Sequence, residues 1–195
     1  MAILLDVVPS TLGPRPVSNA GVTTPQVGGV RQRRARLGSH FRMEGKFPPL
    51  EMDDGRAHAA DILACELTPA ALLIPQPDLD MGATPGPTLV KGGGQSGFTL
   101  VFDGATPAFA FRKGTMFNIV TATRRYLHSV QAEAVADAGG EVTVSIWPML
   151  RIVPADNTEL DFATPRIEGW LEIDGGWEVT PDFTIETSFS IEEAA

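Results

Sequence analysis

One cysteine, one tyrosine and three histidines occur in the 195 residues. The single Cys65 excludes an intramolecular disulfide framework and a cysteine-rich zinc centre, and it points to synthesis in a reducing cytoplasm. His40, His58 and His128 form no His-x-His or His-x-x-x-His pair, so no local zinc signature is written in the chain. No apolar stretch approaches the ~20 residues that a membrane-spanning helix needs. The start, Met1-Ala2-Ile3-Leu4-Leu5-Asp6, has neither the basic region nor the apolar length of a signal peptide. There is no Gly-x-Ser-x-Gly elbow for a nucleophilic serine. Aromatic residues are 7% of the chain, which is thin for a carbohydrate site, although Trp170 and Trp177 are candidates for stacking on sugars.

What the chain does hold is apolar mass and turns. Hydrophobic residues are 43% and charged residues 20%, the balance of a globular domain with a real core. Twenty glycines and sixteen prolines favour a turn-rich, mainly β protein over a helical bundle. The net charge is −9, and it is unevenly spread. Residues 1–60 carry eight basic and five acidic residues, whereas residues 130–195 carry two basic residues (Arg151, Arg166) and fourteen acidic ones. Such asymmetry suits copies that associate basic face on acidic face, and the acidic excess argues against nucleic acid as the partner.

Residues 1–50 read as an N-terminal strand (Ile3, Leu5 and Val7 on one face) followed by an extended Pro/Gly-rich, basic arm. Within it, residues 9–30 show no periodicity and are expected to be loop. The run Arg31, Arg33, Arg34 and Arg36 is the strongest electrostatic feature, fit for an acidic protein partner or for a plain solvated loop, and less so for nucleic acid. A strand is expected over 39–47, stopped by Pro48-Pro49. Residues 51–74 form the helix region: Asp53 and Asp54 suit the N-cap, and Ala57, Ala60, Ala64, Leu63 and Leu67 recur at near-helical spacing. A second loop is expected over 75–97. Residues 85–195 then form an antiparallel β-sandwich or barrel core, in what reads as a single domain overall. Val142, Val144 and Ile146 alternate with Glu141, Thr143 and Ser145. Ile167, Leu171 and Ile173 alternate with Glu168, Trp170 and Glu172. Residues 124–135 are expected to pair with 141–147 across the turn at 137–140.

Gly92-x-Gly94-x-x-Gly97 matches a dinucleotide-binding pattern. That chemistry needs a following helix to hold the pyrophosphate, and here a strand pattern follows, so a glycine-rich turn is the better reading. Cys65, beside Ala64 and Leu67, reads as a small buried hydrophobe within the helix. No cofactor or metal ion is implied, and no active site is visible.

Several ordered segments resemble one family. They are Pro85 to Gly97, ending in Gly92-Gly93-Gly94-Gln95-Ser96-Gly97; Phe111-Arg112-Lys113-Gly114-Thr115-Met116-Phe117-Asn118-Ile119; Arg125-Tyr126-Leu127-His128-Ser129-Val130; the turn and strand Ala136 to Val144; Ile146-Trp147-Pro148-Met149-Leu150-Arg151; Pro165-Arg166-Ile167-Glu168-Gly169; and Phe189-Ser190-Ile191-Glu192-Glu193. In order and spacing they resemble distal-tail-type structural proteins from the tail tip of tailed bacteriophages. The resemblance covers about residues 85–195 well and the N-terminal part more loosely. It implies a non-catalytic virion protein, assembled in the bacterial cytoplasm, that forms a usually six-fold ring. Its implied partners are further copies of itself, the tail tube protein, the tail hub and tip proteins and the tape measure protein, with no membrane. Interface residues expected on this reading are Arg31, Arg33, Arg34, Arg36, Trp147, Arg151, Trp170, Glu192 and Glu193, with Trp147 and Arg151 equally fit to organise the domain's core edge. A β-sandwich module that recognises host-surface carbohydrate, or anchors a receptor-binding protein, is the alternative.

Overall fold

The computed structural model describes residues 2–76, 85–179 and 184–194, with side chains left aside for 175–186. Seventeen strands and one helix are present among them. The first part of the chain contributes β1 (Ile3–Leu5), β2 (Thr11–Val17), β3 (Gly21–Thr23), β4 (Gln32–Arg34), β5 (His40–Lys46), β6 (Leu50–Glu51), α1 (Met52–Ala64) and β7 (Ala70–Leu73). The middle contributes β8 (Leu89–Val90), β9 (Thr99–Asp103), β10 (Ala110–Phe111), β11 (Met116–Val120), β12 (Arg125–Val130), β13 (Ala134–Val135), β14 (Val142–Trp147) and β15 (Glu159–Asp161). The long strands β16 (Arg166–Val179) and β17 (Thr184–Glu193) follow.

These elements make two β bodies. One is a seven-stranded sheet in the order β1-β7-β16-β17-β5-β2, with β6 pairing β17. It is antiparallel except for β1 on β7. The other is a closed barrel, β11-β12-β14-β9-β8-β15, formed entirely from residues between β7 and β16. The strands of residues 85–195 therefore divide between the two bodies, and β16 and β17 leave the barrel to join strands from the first 74 residues.

Alternation decides which residues fill each body. In β14, Val142, Val144 and Ile146 are buried and Thr143 and Ser145 exposed, as the period-two pattern requires. The barrel interior is dominated by Phe102, Phe109, Phe111, Phe117 and Phe162, half of the chain's ten phenylalanines. Phe117 stacks on Phe162 at 4.5 Å between ring centroids, and Phe102 meets Phe111 edge-on at 5.1 Å. A second core, with Met43, Leu72, Ile167, Phe189 and Ile191, lies on the inner face of the sheet. Leu127 of the barrel strand β12 belongs to this second core, so the two bodies share packing.

The structure corrects three expectations. The stretch 9–30 is not a structureless arm. β2 pairs with β5 from Thr11 opposite Lys46 to Val17 opposite His40, and β3 pairs with β4 beyond it. Pro14 and Pro16 are accommodated because β2 is an edge strand, where a missing N–H donor need not break a ladder. The helix starts two to three residues earlier than expected, with Glu51 rather than Asp53 or Asp54 in the N-cap position and no side-chain capping bond; Asp53 and Asp54 sit in its first turn. Its buried stripe is Gly55, His58 and Ile62. Leu63 and Leu67 are exposed, and Cys65 is buried just past the last turn. The expected hairpin over 124–147 reduces to two pairs, Ser129 with Trp147 and Val130 with Ile146, because β14 runs mainly along β9 and β13 pairs with β10. The turn itself forms as expected, closed by Asp137 Oδ1 accepting from the N–H groups of Gly139 and Glu141 at 2.8 Å each. Part of the second expected loop, 77–84, lies outside the described residues.

Candidate functional site: a basic hairpin, an acidic sheet face and a buried ion pair

Beyond the sheet, the β2 and β5 strands continue into the β3–β4 ribbon, so residues 11–46 form one long hairpin whose ladder is interrupted near Asn19. The Asn19 amide nitrogen donates to the Leu37 carbonyl at 2.7 Å, and its backbone N–H donates to Ser39 Oγ at 3.1 Å. The tip carries Val27 and Val30, 95% and 86% exposed. Arg31, Arg33, Arg34 and Arg36 are all exposed along its returning strand. Arg33 donates to Ser18 Oγ at 3.0 Å.

The outer face of the sheet carries a run of carboxylates along β16. Along β16 the outward positions are Glu168, Trp170, Glu172 and Asp174, and across β17 they are Glu192, Ser190 and Ser188. From Glu168 to Asp174 and Glu192 this strip holds four carboxylates; Arg166 opens β16 on the same face, and Arg42 and Lys46 of β5 lie across β17 from it. Trp170 is half exposed, directly opposite Glu192. Glu192 is held by His40 Nε2 at 2.9 Å and Arg42 Nη1 at 3.5 Å, both from β5. Together with Arg124, these groups border a groove of 400 Å³. Trp177 lies on β16, but its side chain is outside the described residues.

The inner side of the hairpin meets the barrel in a larger groove of 740 Å³, floored by Phe41, Met116, Trp147 and Met149. Trp147 packs edge-on against Phe41 at 4.7 Å. It closes β14, and Pro148 follows through a cis peptide bond.

Arg151, expected at the core edge or an interface, and Glu193, expected at an interface, meet inside the chain. Their side chains are 6% and 1% exposed and form an ion pair. Glu193 Oε1 also accepts from the Leu127 N–H at 2.8 Å, and its other oxygen accepts from the Phe41 N–H at 3.3 Å. The guanidinium lies over the Tyr126 ring, 5.2 Å from its centroid. One carboxylate thus ties barrel strand β12 and the segment after β14 to sheet strands β5 and β17. Burial pushes the Glu193 carboxyl up, while Arg151 and the two backbone donors pull it down.

Sequence reasoning missed His128, which sits in the same buried region. Its Nδ1 donates to the Pro148 carbonyl at 2.9 Å, and Nε2 is buried with no partner among the described residues. Burial, reinforced by the Arg151 charge, pushes its pKa down to about 3, against the pull of the Pro148 bond. In the unfolded chain a histidine takes its proton near pH 6.5. The unfolded state therefore binds more protons between these values, and the stability His128 contributes is full above ~6.5 and lost as pH falls towards 3. Urea unfolding of wild type and His128→Gln at pH 6 and pH 5 tests this. Wild type is expected to lose about 1 kcal/mol more than the variant over that step; parallel losses would refute the assignment. His58 is also depressed by burial, but it is common to both proteins and cancels.

The glycine pattern at 92–97 is a turn into β9, with positive φ at Gly92, Gly94 and Gly97. Gln95 spans it, donating to the Lys91 and Val101 carbonyls and accepting from the Val101 N–H. Among the described residues, no group of three or more His, Cys, Asp and Glu side chains could hold a metal ion, and no helix is long and apolar enough to cross a membrane. No family model matches the chain, and no curated protein matches it.

Proposed function

We propose that this protein is a structural component of a bacteriophage tail tip, a ring of copies that joins the tail tube to the hub and receptor-binding apparatus. The ordered resemblance over residues 85–195 supports this reading. The observation that carries it is the separation of charge on one chain: four exposed arginines on a hairpin that reaches beyond the sheet, and a carboxylate strip on the sheet's outer face. A ring needs a heterologous interface, two different faces that close by rotation. The exposed apolar tip at Val27 and Val30 adds area that a neighbour can cover.

Light scattering on the purified protein tests the proposal, at low and physiological salt, alone and with the tube and hub proteins. A closed oligomer that weakens as salt rises is the expected result. A monomer under every condition, with no affinity for tail components, would overturn it. The second reading, a carbohydrate-binding module, rests on Trp170 exposed in a polar groove beside Glu172 and Glu192. Quenching or enhancement of tryptophan fluorescence by cell-wall glycans, in a protein that remains monomeric, would favour it.

A further inference from the structure

We infer that the outer-face groove at Trp170 is the receptor for the arginine hairpin of a second copy of this chain, with Arg34 and Arg36 as the docking side chains. The inference rests on the self-assembly reading above and adds which surfaces meet.

The hairpin has two faces. Arg33 turns to the inner side, where it contacts Ser18 and borders the groove against the barrel. Arg34 lies opposite Gly21 in the ribbon. The Arg36 guanidinium covers that same Gly21, 2.9 Å from where a Cβ would stand. Arg34 and Arg36 therefore share the other face, two residues apart on an extended segment, about 7 Å along it. Neither makes an ion pair among the described residues.

The receptor repeats that spacing. Trp170 and Glu172 are also two residues apart on an extended strand, with Asp174 one step further and Glu192 across from Trp170. A guanidinium stacks on an indole face and pairs with a carboxylate in one plane, which an ammonium cannot do. Glu172 and Asp174 are exposed and make no ion pair among the described residues. Within one chain the two surfaces do not meet: the groove is bordered by His40, Arg124, Trp170, Glu172, Ser190 and Glu192, with no residue of the hairpin's arginine run. His40 hydrogen-bonds Glu192 and Arg42 pairs with it from the β5 side, and Arg124 also borders the groove; Glu172 and Asp174, without an ion-pair partner among the described residues, set the docking site on the β16 side of Trp170.

Sedimentation velocity of the full chain over a concentration series at low salt tests the pairing. Trp170→Ala, Glu172→Arg and Arg34→Glu are each expected to weaken self-association at least tenfold. The double variant Arg34→Glu/Glu172→Arg is expected to recover most of the loss. All three positions changed are exposed, and unchanged melting temperatures would confirm that folding is intact. Self-association that persists in Trp170→Ala and Glu172→Arg would overturn this docking site and leave the assembly reading standing. A wild-type chain that stays monomeric throughout would overturn both.

Discussion

Arg151→Met is expected to cost about 3–5 kcal/mol of folding stability, because it leaves the buried Glu193 carboxylate without its counter-charge. Against a total of ~5–15 kcal/mol for a domain, that is a large fraction. The loss comes from stranding one charge, not from forfeiting an attraction. Glu193→Gln added to the same chain removes the stranded charge, and its amide oxygen still accepts one of the backbone N–H groups of Leu127 and Phe41. The double variant is therefore expected to be more stable than Arg151→Met alone. The pH dependence has a defined sign. Without Arg151 the Glu193 carboxyl, already raised by burial, rises further. Its folded pKa then lies above its unfolded value, so the single variant recovers stability as pH falls through that range and suffers most at neutral pH. Urea unfolding at pH 7 and pH 5 measures all of this. A cost below about 1 kcal/mol at pH 7 would place the pair outside the protein's essential packing.

Gly169→Ala is expected to be nearly as damaging, although it adds one methyl group. Gly169 pairs with Glu193 where β16 meets β17. A Cβ there would collide with the carbonyl oxygen of Glu192, and it would stand 2.6 Å from the carbonyl carbon and 2.8 Å from the Glu193 Cα. All three are backbone atoms, so no rotamer change relieves the overlap. The two strands must separate where Glu193 is aimed at Arg151. A cost of about 3 kcal/mol, or a melting temperature lower by roughly 6–12 °C, is expected. Gly93→Ala is the matched control: a Cβ at that position meets nothing within 4 Å, and its melting temperature is expected to stay within a degree or two of wild type. Equal melting for the two variants would refute the close-approach argument.

The strands that could be read from the chain were those with one wet face. β14 and β16 alternate cleanly, and their buried and exposed positions follow directly from Val142 to Trp147 and Ile167 to Ile173. β2 was not readable, because Pro14 and Pro16 argue against any strand unless its place at a sheet edge is known, and edge position is a property of the whole topology. The helix face was misjudged for a local reason: its buried stripe is Gly55, His58 and Ile62, a set in which only one residue is strongly apolar. Charge asymmetry pointed to the arginine hairpin and the acidic strands without placing them. The Arg151–Glu193 pair left no trace in the sequence. Its partners are 42 residues apart, and both types are usually solvated. His128 was equally silent, since burial is set by the β12 register and not by its neighbours in the chain.

The order of strands in the sheet has a consequence in time. β17 pairs with both β16 and β5, and the whole barrel is spelled out between β5 and β17. On a ribosome adding ~5–20 residues per second, the inner edge of β5 emerges on the order of ten to thirty seconds before its mate. The β2–β5 hairpin can form at once, and the barrel can close on itself, because both are made of neighbouring segments. The β5 edge cannot be covered until the last strand arrives. During synthesis that edge, with Phe41 and Met43 beside it, is the surface on which this chain is open to wrong pairing, and the window closes only when β17 arrives.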